Sequence, residues 1–458
     1  MLSTVKAYIE MKGQDLTQGV IWRQLLRYFF PILWGTFFQQ LYNTADAIIV
    51  GNYVGKEALA AVGGSAAQIV NLLVGFFMGL SSGATIIISQ YFGAKNEAGL
   101  NKAIHNATLF SLSGGAFLTV IGIIFTPLAL RWMGTPEDTM AYSLSYLRII
   151  FSGTIFTLIY NMGGGILRAM GDSKRPLYFL IISCLTNIIL DLVFVAVLGL
   201  EAAGAAIATV LSQLLSCILI INTLHKLPNT YRLSIRGLKP DRISLANILK
   251  LGLPTGVQAS MYSISNLLIQ ASINTLGTDT VAAWTAASKA DSIFWMIMNA
   301  FGTTIVTFVG QNFGADQRER AKKGVKVCFF ITMGTALAVM SILFLFAKYL
   351  LNIFTTDANV IEIGRIIILF TVPGYISWVF VEIMSGAIRG AGDVFTSMLI
   401  SVIGICVLRL IWIYTAVPYY HRIETICLSY PITWAITGLA YTIYYFKGSW
   451  EKKAFLPH

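Results

Sequence analysis

The sequence predicts an all-α integral membrane protein of twelve transmembrane helices, arranged as two pseudo-twofold-related six-helix bundles. Three observations predict it. Of the 458 residues, 56% are hydrophobic and only 12% are charged, half the charge of an ordinary soluble domain, which carries about 25%. The apolar residues fall in runs of about 20, the length a helix needs to cross a bilayer. The chain also repeats itself at one spacing. A soluble enzyme would lack the charge to cover its surface, and a disordered chain would not have a mean hydropathy of +0.72. Runs such as 109–130 do not alternate with the two-residue period of a barrel strand.

The spans follow in order. The first, 25–51, begins beyond Arg23 and holds Pro31; the second is 57–83; the third, 101–127, follows Lys95. The fourth, 142–167, ends at Arg168, and the fifth, 176–199, opens after Lys174 and Arg175. The sixth, 203–225, leads into a basic linker, 226–246. The seventh, 247–273, carries Pro254, and the eighth, 280–308, carries Lys289 and Asp291. The ninth, 325–351, follows the cluster at 318–323; the tenth, 362–388, ends at Arg389. The eleventh, 396–417, contains Arg409, and the twelfth, 427–447, ends at Lys447. Residues 1–24 and 449–458 are tails, 25–225 one bundle and 247–448 the other.

Lys and Arg fix the orientation, because cytoplasmic loops are enriched in them. With the N-terminus inside, 24 fall on the cytoplasmic side and 5 on the other. Both termini are therefore expected in the cytoplasm of a bacterial cell, with the chain multi-pass in its inner (plasma) membrane. The net charge of +11 does not point to nucleic acid, since the basic residues sit in short gaps between apolar runs. The five cysteines lie in or beside apolar stretches without a CxxC pair and read as small hydrophobes. His105, His225, His421 and His458 are scattered and propose no metal site. Residues 1–20 contain Lys6, Glu10, Lys12 and Asp15, so no cleavable signal is expected.

Gln90-Tyr-Phe-Gly-Ala94 recurs as Gln311-Asn-Phe-Gly-Ala315, and Gly165-Ile-Leu-Arg-Ala-Met-Gly-Asp172 recurs as Gly386-Ala-Ile-Arg-Gly-Ala-Gly-Asp393. The two pairs share one offset. Pro31 and Pro254 match nearby, with Asn43 and Asn266 in step. Halves of six spans face the same way and should be related by an axis along the membrane normal, with substrate held near mid-membrane.

Ionisable groups inside spans are costly and are functional candidates. In helix 1, Gln39, Tyr42, Asn43 and Asp46 share one face at helical spacing. Helix 5 lines up Ser183, Asn187 and Asp191; helix 6 offers Thr209, Ser212, Gln213 and Ser216; helix 4 offers Thr157, Tyr160 and Asn161. Two carboxylates close together in a dry bundle cannot both stay ionised cheaply, so one should hold a proton or a cation should neutralise the pair. Na⁺ also suits carboxylate, amide and hydroxyl oxygens. Taken singly, Thr157, Ser183 and Ser216 read better as interhelical glue.

In the second half, Trp284, Ser288, Asp291 and Trp295 share a face of helix 8, and Tyr375, Trp378 and Glu382 one of helix 10. Helix 7 offers Gln258 and Tyr262 but no acid, and helix 11 holds Arg409. Lys289 with Asp291 or Glu382 could be a structural ion pair. The aromatics are either interfacial belts or, if they face a cavity, a cation–π surface for flat cations.

These features resemble the multidrug and toxic compound extrusion (MATE) family over essentially the whole chain. The resemblance rests on the span plan, Pro31, the repeated G-x-x-R-x-x-G-D and the repeated Q-x-F-G-A. It is closest to the DinF-like and archaeal types, in which an aspartate of helix 1 works with an N-x-x-x-D pair of helix 5; Asp46 and Asn187-Ile-Ile-Leu-Asp191 match these. The resemblance implies an antiporter that exports organic drugs or toxins by alternating access while H⁺ or Na⁺ enters. It implies a cation site of Asp46, Asn187, Asp191, Asn161, Thr209 and Tyr42, with Na⁺ the one metal ion considered, at Asp46, Asn187 and Asp191. Gln39, Asn43, Gln258, Tyr262, Asp291, Trp378 and Glu382 are the substrate candidates and Pro31 the hinge. The helix 7 acid of the NorM-like branch is missing here, which argues against a NorM-style site in the second bundle. The expected partners are small organic substrates and membrane lipids around a monomer, with no nucleic acid and no cofactor beyond the coupling ion.

Two other readings compete. A lipid-linked oligosaccharide flippase of the same superfamily would want a strongly cationic cavity, to which Lys289 and Arg409 would contribute. A membrane prenyl transferase would want clustered acidic Mg²⁺ ligands, of which Asn187-x-x-x-Asp191 is only half.

Overall fold

The computed structural model describes residues 14–55, 58, 65–228 and 231–452. All regular structure among them is helical. We number the helices α1 (Ile21–Tyr53), α2 (Ser65–Gly93), α3 (Glu97–Trp132), α4 (Glu137–Ala169), α5 (Lys174–Asp191) and α6 (Glu201–His225). Then follow α7 (Arg242–Asn274), α8 (Thr278–Ala290 and Ser292–Gly314), α9 (Arg318–Leu345), α10 (Ala358–Thr371 and Tyr375–Ala391), α11 (Val394–Ser401 and Leu408–Thr415) and α12 (Ile423–Lys447). A π-helical segment, Leu192–Val197, prolongs α5, and another, Val402–Val407, joins the two parts of α11.

Ten helices are long and apolar enough to span a bilayer among the described residues. α1 and α7 are the two that fall short, although each runs 33 residues. Their polar residues depress the average. Several helices also overrun the expected spans. α2 continues to Gly93, so Gln90 lies on its last turns rather than beyond it, and α7 begins at Arg242, which shortens the linker from 226–246 to 226–241. Part of the expected second span, residues 57 and 59–64, lies outside the described residues.

The chain divides into two compact units, and the division falls within α7 rather than in the linker. The first unit takes Leu26–Gly256. In it α4 packs against α2, α3 and α6, and α5 against α6. Close approach depends on small residues: a Cβ on Gly115 of α3 would meet the backbone of Ile155 in α4 at 2.7 Å, and one on Gly79 of α2 the backbone of Gly256 at 2.6 Å. That second contact holds the start of α7 to the first unit. The second unit runs from Val257 and includes Val20–Leu25, where Gln24 accepts a hydrogen bond from Arg320 at 2.8 Å. In it the second part of α10 packs on α8 and α12.

The repeated glycine–aspartate pairs explain themselves as helix ends. Gly171 (φ +86°) and Gly392 (φ +111°) take the left-handed conformation that closes a helix. Asp172 then accepts the backbone N–H groups of Lys174 and Arg175 and an ion pair from Arg175 at 3.0 Å. Burial nonetheless pushes the Asp172 carboxyl above its ordinary value. Asp393 caps α11 through the N–H of Thr396 and accepts the Tyr444 hydroxyl at 2.5 Å.

Candidate functional site

Two polar constellations stand inside the helical units, one in each. The first joins α1, α5 and α6. α1 buries Tyr42 and Asp46 on one stripe, four residues apart; Asp46 is 8% exposed. α5 brings Asn187 and Asp191, both fully buried, and Asp191 is its last residue before the backbone widens into the π-helical segment. Such π segments disturb the hydrogen-bond ladder and recur at functional sites. Asp46 faces Asp191, Asn187 and Thr209. The Thr209 hydroxyl donates to Asp46 Oδ2 at 3.4 Å.

Among the described residues almost nothing else satisfies this cluster. Asp46 Oδ1, both oxygens of Asp191, both polar atoms of Asn187 and the Tyr42 hydroxyl lack a hydrogen-bond partner among the described residues. Buried polar groups are normally paired, and an unpaired one is costly. Two carboxylates face each other here, and among the described residues no arginine, lysine or histidine is in ion-pair contact with them. Oxygen atoms in this arrangement can share a proton or surround a small cation.

The other sequence candidates lie differently. Asn161 gives its amide N–H to the carbonyl of Thr157 in its own helix at 2.9 Å and bonds to neither carboxylate. Tyr160 donates to Pro176 O at 3.0 Å, tying α4 to α5. Gln39 and Asn43 are exposed, while Tyr42 and Asp46 on the same helix are buried. Pro31 sits inside an uninterrupted α1. Tyr146 of α4, not among the sequence candidates, also lies near both Asp46 and Asp191. Tyr146 lies about four turns before Tyr160 and Asn161, off the polar group that marked helix 4 in the sequence.

The second constellation lines a cavity of about 630 Å³ in the second unit. Gln258, Tyr262, Asp291, Trp378 and Glu382 all face it, as do Trp284, Ser288 and Trp295. The aromatics of helices 8 and 10 therefore line a cavity. α8 breaks at Asp291, whose Oδ2 accepts the Tyr375 hydroxyl at 2.8 Å and the Trp295 indole N–H at 3.2 Å. Tyr375 is held by a ring stack on Phe294, 3.6 Å between centroids. α10 breaks at the 3₁₀ turn Val372–Gly374, where Pro373 cannot donate a backbone hydrogen bond. Gln258 donates to the Tyr262 hydroxyl at 3.1 Å. Glu382 lies against Gly302, where a Cβ would collide with its carboxylate. Lys289 is exposed and pairs with neither Asp291 nor Glu382 among the described residues.

Helix 12 supplies what sequence reasoning overlooked: Tyr430 and Trp434, one turn apart on either side of Pro431. Trp434 lies 5.7 Å from Trp295, 5.4 Å from Trp378 and 5.3 Å from Tyr430 between ring centroids. An i, i+4 aromatic pair was the available signal.

Comparison with known proteins matches the MatE family over residues 31–193 and 254–415, one match in each half of the chain. A probable multidrug resistance protein of Bacillus subtilis (strain 168), YoeA, is 29% identical over 450 residues, covering 96% of both chains. Among solved structures, a MOP superfamily transporter from Pyrococcus furiosus aligns with a TM-score of 0.90 at 24% identity, over 97% of this chain and 99% of that one. An outward-facing multidrug resistance MATE family transporter aligns with a TM-score of 0.89, also at 24% identity and over the same shares.

Proposed function

The chain belongs to the MatE family of multi-pass membrane transporters, and from that membership we propose that it is a multidrug exporter driven by inward flow of H⁺ or Na⁺. Its cargo is organic compounds, cationic or amphipathic ones among them, in keeping with relatives named for multidrug resistance. It works as a monomer in the plasma membrane, with both termini in the cytoplasm. Family membership makes it a transporter and not an enzyme.

The observation that carries the coupling is the pair Asp46 and Asp191, buried face to face and short of donors. A proton or Na⁺ between the carboxylates removes their repulsion, with Asn187, Thr209 and Tyr42 supplying the remaining oxygens. The arrangement of side chains that costs least then differs between the loaded and the empty pair. α1 carries Asp46 and contains Pro31, which removes one backbone hydrogen bond and lowers the cost of bending. Coupling requires only that ion and cargo favour different states of this element.

Dye efflux from proteoliposomes, with a pH gradient or a Na⁺ gradient imposed separately, tests the reading. Wild-type protein should respond to one gradient. Asp46→Asn and Asp191→Asn should each drop to the rate of empty vesicles while eluting as folded protein. Wild-type efflux in either variant would remove the pair from the mechanism.

A further inference from the structure

The cavity of the second unit contains a cation that the coupling mechanism does not use. Arg409 of α11 is only 3% exposed, yet it lines the cavity wall. The guanidinium lies 4.1 Å from the centroid of the Tyr430 ring and 6.0 Å from that of Trp434. Such cation–π contacts answer the charge of the group but occupy none of its N–H donors with a hydrogen-bond acceptor. Its one hydrogen bond is a long one, Nη2 to Thr433 Oγ1 at 3.4 Å, and Nε has no partner among the described residues. No carboxylate pairs with it among the described residues.

The acids of the same cavity are already engaged. Asp291 holds the Tyr375 hydroxyl and the Trp295 indole, and Glu382 feels the charge of Arg389 two turns away. A buried guanidinium without a counter-ion is expensive, and inside a membrane such a residue marks a ligand path. Its planar fork of donors fits a carboxylate or phosphate. Beyond the rings of Tyr430 and Trp434, the half-buried Trp295 and Trp378 line the same cavity, 5.1 Å between centroids, and offer surface on which a flat ring system can lie.

We propose that Arg409 is an anion subsite, so that the second-unit cavity takes planar aromatic compounds bearing a carboxylate or phosphate, with the acid group on Arg409 and the ring system against the tryptophans. This rests on the exporter reading for its significance as cargo, but it concerns binding and not coupling.

Two dyes isolate the acid group: rhodamine 110, a planar xanthenium with a free carboxylate, and rhodamine 123, its methyl ester. Affinities are read by fluorescence polarisation on the purified full chain in nanodiscs, without any ion gradient. Wild type should bind the carboxylate dye at least about tenfold more tightly than the ester, the worth of one hydrogen bond to a charged group. In Arg409→Gln the ratio should collapse towards one, and in Arg409→Lys part of it should return. Equal affinities in wild type, or an undiminished ratio in Arg409→Gln, would overturn the proposal, and the wild-type ratio decides alone if that variant does not fold. Failure of gradient-driven efflux with the ratio intact would count against the exporter reading and not against the subsite.

Discussion

Asn187 is fully buried, and neither its amide nitrogen nor its carbonyl oxygen finds a hydrogen bond among the described residues. Each buried, unsatisfied polar group costs about 1–3 kcal/mol. A residue kept for packing alone would be better replaced by a hydrocarbon of similar volume. Asn187→Leu is therefore expected to leave the melting temperature of the purified protein unchanged or raise it by a few degrees, while gradient-driven efflux is lost. Thermal unfolding and vesicle transport on the same preparation check this. A lower melting temperature with normal efflux would make Asn187 interhelical glue. At this scale the first constellation was largely legible, because helical period alone puts Tyr42 on the stripe of Asp46 and Asn187 on that of Asp191. Asn161 fell outside it because its amide has a closer acceptor one turn back in its own helix. Gln39 and Asn43 share the Asp46 stripe in sequence but are exposed, since periodicity gives direction around a helix and not what stands opposite.

Asp172 and Asp393 show how a conspicuous motif belongs to an element and not to a site. Both follow a left-handed glycine, and both accept backbone N–H groups at the start of the next helix. Loss of such a cap costs about 1 kcal/mol, and Asp393→Ala also removes the bond that Asp393 accepts from the Tyr444 hydroxyl. The variant should unfold a few degrees below wild type, with transport per folded molecule preserved; abolished transport at unchanged stability would contradict a capping role. The existence and order of the helices could be read from apolar runs, but their ends and breaks could not. Charged residues at 318–323 look like a loop, yet they form the first turns of α9. The break at Asp291 and the π segments have no composition signal, because a hydropathy window does not sense which carbonyl an N–H selects. The α10 break falls at Pro373, inside what the apolar run presents as one unbroken span, 362–388.

Across the whole molecule, the plan of twelve crossings depends on α1 and α7, the two helices that fall below the hydropathy of the other ten. They are also the pair matched by Pro31 and Pro254 in the repeat, and α1 holds Asp46. The residues that make them candidate working parts are those that dilute their apolar character, so an average discounts helices of this kind. Topology separates the alternatives. With twelve crossings and a cytoplasmic N-terminus, six crossings precede the linker, which lies in the cytoplasm. If α1 and α7 did not cross, five would precede it and it would lie outside, while the C-terminus would stay inside in both cases. Alkaline phosphatase fused after Lys239 should therefore be inactive in a bacterial host and green fluorescent protein at the same point bright, with the reverse after Tyr420, between α11 and α12. An active phosphatase at Lys239 would reduce the membrane plan to ten crossings and place the basic residues of the linker, Arg232, Arg236 and Lys239 among them, on the side where positive charge is disfavoured.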